Sequence, residues 1–132
     1  IISIKPIFGW GAGSFPILFK PFDITNINAQ HTHNLFFDIA LSYGIPSAII
    51  ISFSLIYLNL KSFFSNTYTI TKANSSDIII FDTAWKISTS IFIFSQLFDI
   101  TYFDARISII SWILFSGCRN IIKENSKNYI NL

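Results

Sequence analysis

Two histidines, His31 and His33, are all the imidazole this chain has, and they stand two residues apart in Gln30-His31-Thr32-His33-Asn34. On an extended strand, residues i and i+2 point the same way, so two imidazoles can share a metal ion. Such a site needs a third ligand, and Asp38 is the one carboxylate close by in sequence. A single imidazole, with a reference pKa of about 6.5, can instead take a proton from an attacking hydroxyl near neutral pH. A third reading is a helix N-terminus at the water boundary, because no charge follows from Ile39 to Leu60.

Two further stretches carry groups that could do chemistry. In Gly9-Trp10-Gly11-Ala12-Gly13-Ser14-Phe15 the close glycines, Gly11 and Gly13 among them, can turn several backbone N–H groups toward one anion. The stretch is not the dinucleotide fingerprint G-x-G-x-x-G. A tight turn packing the loop against helices explains it as well. In Asp104-Ala105-Arg106 the planar guanidinium of Arg106 can grip a diphosphate. It can equally pair with Asp104 or Asp99, or anchor at lipid headgroups. Cys118, the one cysteine, has no partner for an internal disulfide or a thiolate metal site and reads as filling a helix face.

The elements that must position these groups are greasy. Of 132 residues, 52% are hydrophobic and 12% charged, with mean hydropathy +0.54. Soluble domains carry about twice that share of charge, and a domain this small still exposes much of its surface. A bilayer meets that surface better than water does. A net charge of +2 gives no electrostatic footprint for nucleic acid, and the 15 Phe and three Trp are not interleaved with Arg and Lys as a stacking groove requires. There is no methionine, even at position 1, which predicts a piece of a longer protein; the N-terminus lacks a signal-peptide layout.

Residues 1–34 hold three of the four prolines and three of the five glycines, so no spanning helix fits there. This part is expected to be a loop segment outside the hydrocarbon, with one short helix or strand at most. Residues 35–132 are expected to form an all-α, polytopic membrane region with about three transmembrane helices. From Asn34 to Leu60 only Asp38 is charged, and Gly44-Ile45-Pro46 interrupts the run. About 20 apolar residues cross the hydrocarbon, and proline is tolerated best in a helix's first turn. The pattern predicts an interfacial helix at 34–43 and a span at 46–64. After a polar loop at 65–77, a second span is expected at 80–99, with Asp82 and Lys86 paired at i, i+4. The third runs from Asp104 to Ile122, between Arg106 and Arg119. With the histidines outside, the inside carries Lys61, Lys72, Arg119, Lys123 and Lys127 against Lys5, Lys20 and Arg106 outside, an imbalance in the direction of the positive-inside rule.

His33-Asn34, nine residues from Leu35 to Tyr43, then Gly44-Ile45-Pro46 resembles the signature of the O-antigen ligase and polymerase family. The family pattern is His-Asn (or Ser, Gln), nine residues, Gly, two residues, Gly; here Ser47 stands at the last position, still small enough for a close helix contact. Pro6 to Phe15 (P-x-x-G-x-G-x-G-x-F) and Tyr102 to Trp112 (Y-F-D-A-R-I-S-I-I-S-W) are also similar to family segments, and the likeness covers the C-terminal part of a family member. It implies a multi-pass enzyme of the bacterial inner membrane with its site facing the periplasm. Such enzymes move a glycan from undecaprenyl diphosphate to an acceptor hydroxyl, on lipid A core for ligases and on another carrier-linked glycan for polymerases. The family's ligases work without a metal or other cofactor. By resemblance, His33 is the general base, Asn34 orients that region or caps the helix, and Arg106 contacts the diphosphate; Gly11 and Gly13 stand as substrate contacts on the anion-nest reading of their spacing. His31 has no matching position and is a supporting contact at most. A non-catalytic membrane module and a truncated, inactive remnant remain open beside this reading.

Overall fold

The computed structural model describes residues 1–23, 29–65, 75–100 and 104–130. All regular structure among them is helical: α1 (Phe15–Phe19), α2 (Leu35–Tyr43), α3 (Ile45–Phe64), α4 (Ser75–Ser95) and α5 (Ala105–Ile130), with single 3-10 turns at Ile2–Ile4 and Lys20–Phe22. Three of these helices are long and apolar enough to cross a membrane, over Ile45–Phe64, Asp77–Ser95 and Ala105–Glu124. Most of their large side chains face outward, among them Ile50, Phe53, Phe81, Ile91, Ile109 and Trp112. In water such surface would aggregate; in lipid it is the correct exterior. The chain therefore has the build of a multi-pass membrane protein.

Two compact units divide the chain. The first comprises Ile1–Ser54 with Phe94–Thr101. Its centre is the joint between α2 and α3, where Ile39, Ala40 and Ala48 are buried with Ile2, Leu35, Phe36 and Ile45 packed around them. Gly44 makes that joint at φ +90°, and a Cβ there would run into the Ile7 carbonyl. Pro46 then falls in the first turn of α3, where its missing N–H costs little. The last carbonyls of α2 lack helical partners, and the N-terminal segment supplies them. The Trp10 N–H donates to Leu41 O (2.8 Å) and the Gly11 N–H to Ser42 O (2.9 Å), while the Ile45 N–H donates to Pro6 O (2.7 Å). Gly9 lies so close to Leu41 and Ser42 that a side chain has no room. Ser47 donates its hydroxyl to Tyr43 O across the break (3.1 Å).

The second unit comprises Leu55–Ile93 with Tyr102–Leu132. Here α4 and α5 meet through small and polar groups, as helices in lipid do. Gly117 leaves space for the Trp85 indole, whose Nε1–H donates to Leu114 O (2.8 Å). Cys118 is fully buried with its Sγ 3.2 Å from Thr89 Oγ1, so it fills a helix face as expected. Asn59 on α3 donates its amide to Ser90 Oγ on α4 (3.0 Å).

Several boundaries move. The second span starts at Asp77 rather than 80 and its helix ends at Ser95, because residues 96–99 turn away instead of extending α4. The Lys86 ammonium donates to Ser65 O (3.1 Å), a carbonyl just past the end of α3. The expected loop at 65–77 lies outside the described residues over 66–74, and so do Tyr102 and Phe103 of the third family-like stretch.

Candidate functional site

Helix α2 begins where it does because Asn34 caps it. The Asn34 side-chain oxygen accepts from the Phe37 N–H (3.2 Å), which satisfies one of the first-turn donors. His33, just before the cap, has φ +55°, a left-handed conformation uncommon outside glycine. Three contacts then join this corner to the turn that follows α4. The Leu35 N–H donates to Gln96 O (3.0 Å), Asn34 Nδ2 donates to Leu97 O (3.0 Å), and His33 Nδ1 lies 3.1 Å from Asp99 Oδ1. That turn is itself closed by the Leu97, Phe98 and Asp99 N–H groups donating back to Phe94 and Ser95 carbonyls, and Ile100 buries itself behind it. Asp99 is thus delivered to His33 by backbone pairing, although 66 positions separate them.

The electrostatics follow from that pairing. The hydrogen bond from His33, then the Ile100 N–H (2.8 Å), hold the Asp99 carboxyl below the usual carboxylate range. A depressed carboxyl contributes its stabilisation above the ordinary carboxylate pKa and loses it only as pH falls through the lowered value. At neutral pH Asp99 is therefore an ionised acceptor, so the shared proton sits on His33 Nδ1. A neutral imidazole so held keeps a lone pair on Nε2. The His33 side chain is 64% exposed, so hydroxyls in solution can reach it.

His31 and His33 do not lie on a strand. Their rings meet edge to face, with centroids 4.6 Å apart and an interplanar angle of 66°. One ring nitrogen of each, together with an Asp99 oxygen, lie within 4.8 Å of one another. Asp38, the carboxylate nearest in sequence, is not part of this group; it is buried at the first turn of α2, 3% exposed. Sequence spacing missed Asp99 as the third group. A signal was present, because the span expected at 80–99 ends on Asp99, and the helix expected at 34–43 begins just after His33.

The remaining candidates fall in different places. The Gly11 N–H, with those of Gly9 and Trp10, is committed to a backbone carbonyl and is not offered to an anion; Gly13 is exposed, at φ +71°. The glycine stretch therefore works chiefly as the turn that seals the end of α2. Arg106 is exposed at the start of α5, in the second unit, and its backbone N–H donates to the Asp104 carboxylate that caps that helix (2.8 Å). Next along the chain from His31, Gln30 joins Lys20, Asp23 and Phe19 in lining a cavity of about 360 Å³. Comparison with protein-family models, with curated proteins and with solved structures finds no match for the chain.

Proposed function

We propose that the chain belongs to a glycosyltransferase of the O-antigen ligase type in the bacterial inner membrane, with its site on the periplasmic face. The observation that carries this reading is the His33–Asp99 pair, whose histidine stands just before α2 and opens the H-N-x9-G stretch. The donor is a glycan on undecaprenyl diphosphate and the acceptor a hydroxyl of lipid A core. His33 Nε2 takes the acceptor's proton as its oxygen attacks the anomeric carbon. The bond from that carbon to the diphosphate oxygen breaks, and undecaprenyl diphosphate leaves with the electron pair. Asp99 keeps Nδ1 protonated and stabilises the imidazolium that forms. The polyprenyl tail stays in lipid beside the apolar helices, while the sugar reaches the water boundary where His33 stands.

The test is transfer itself. The natural full-length protein is expressed in a strain lacking its ligase, with and without His33→Ala, and lipopolysaccharide is resolved on a gel. A glycan ladder on lipid A core that disappears in the variant is the expected result, with membrane insertion unchanged. Glycan polymerised on the lipid carrier instead would make the enzyme a polymerase. A ladder that survives His33→Ala, or falls equally and mildly with His31→Ala, would remove the base from position 33.

A further inference from the structure

We propose that His31, His33 and Asp99 form a binding site for a divalent transition-metal ion, with Zn²⁺ the best match. The site goes beyond the transfer reaction, and its occupancy can be read without it. Two imidazoles and one carboxylate are a borderline-soft donor set that suits Zn²⁺ and its neighbours, whereas Mg²⁺ and Ca²⁺ prefer oxygen cages. Three protein ligands also leave one position open, as zinc sites that exchange water or substrate do.

The geometry is close to what such an ion needs. The three donor atoms lie within 4.8 Å of one another. Donors bound to zinc at about 2.1 Å in a tetrahedron are about 3.4 Å apart, so the widest pair must close by roughly 1.4 Å. The His33–Asp99 pair is already at 3.1 Å. Both of those side chains are more than 60% exposed and can swing by that amount without disturbing a packed core. The backbones that carry the ligands are already joined. Leu35 is bonded to Gln96 and Asn34 to Leu97, so the His33 and Asp99 ends need no folding step to meet. The Ile100 N–H also fixes the Asp99 carboxylate, the kind of outer contact that orients a metal ligand. His33 is held at φ +55°, which turns its ring toward Asp99 rather than along the helix. Where His33 is the base proposed above, a bound ion occupies the imidazole lone pair and stops proton transfer. On that reading the ion inhibits the enzyme.

The full-length protein, free of any polyhistidine tag, is titrated in detergent with Co²⁺ as a spectroscopic probe, and Zn²⁺ is then added as competitor. One equivalent of Co²⁺ with visible d–d bands, displaced by Zn²⁺ and not by Mg²⁺, is expected. His31→Ala and Asp99→Ala should each weaken binding about tenfold or more, and Asp77→Asn should leave it unchanged. Circular dichroism of each variant checks that the helices are intact. Absence of saturable Co²⁺ binding, or equal binding by all four proteins, overturns the site. Zn²⁺ binding with transfer undiminished leaves the site standing and removes the base assignment. Transfer that depends on His33 in a protein that binds no Co²⁺ does the reverse.

Discussion

At the scale of single residues, the His33–Asp99 contact makes a sharper demand than either side chain alone. An asparagine at position 99 keeps the size of the aspartate but can present an amide N–H to Nδ1, which favours the tautomer with the proton on Nε2. On the transferase reading proposed above, Asp99→Asn should lower transfer by about tenfold or more through kcat, with a smaller change in KM, because general-base catalysis is worth about 10²–10⁴-fold. Initial rates at several acceptor concentrations separate the two effects. An unchanged kcat would reduce Asp99 to a structural contact. His33 and Asn34 were legible from the sequence because the histidine is rare and an asparagine before an apolar run is a helix-start signal. The partnership with Asp99 was not, since it depends on a turn after α4 pairing with residues 34 and 35. At Gly11 the sequence left two readings open, a nest and a tight turn. Its N–H satisfies a carbonyl at the end of α2.

At the scale of elements, two helix joints rest on glycine for different reasons. Gly44 needs both a left-handed φ and the absence of a Cβ against Ile7. Gly44→Ala should cost at least the 1–3 kcal/mol of a strained residue, an order-of-magnitude figure, and loosen the approach of residues 6–11 to α2. Thermal unfolding in detergent reads the loss, and an unchanged melting temperature would show that the joint relaxes easily. Gly117 has ordinary helical backbone, yet a methyl there would collide with the Trp85 indole. Gly117→Ala should expel the ring and break its bond to Leu114 O, shifting tryptophan emission; a Trp85→Phe background should abolish that shift. The Gly44 joint was readable from Gly-Ile-Pro in an apolar run. The Gly117 contact was not, because nothing in the sequence of α5 announces which ring of α4 lies over it.

For the whole molecule, hydropathy made the three spans visible, since apolar runs of about 20 residues have few other uses. Their ends were less clear: α4 stops at Ser95 because the turn after it bonds to the start of α2, a long-range event with no local breaker. The orientation is a separate question, and charge argues it. With Lys61, Arg119 and Lys123 near one set of ends, the positive-inside rule predicts Gln30 and the histidines on the outer face and Asp77 on the inner face. Only α3 crosses between those two positions, so a pair of cysteines reads both the crossing and its direction. In a Cys118→Ser background, Gln30→Cys should react with a membrane-impermeant maleimide on intact cells, and Asp77→Cys only after lysis. The reverse pattern would put His33 on the inner face and overturn the outward-facing site proposed above. Labelling of both from one side would show that α3 does not cross. Gln30 neighbours His31 in sequence, so the same experiment locates the candidate site as well as the helix.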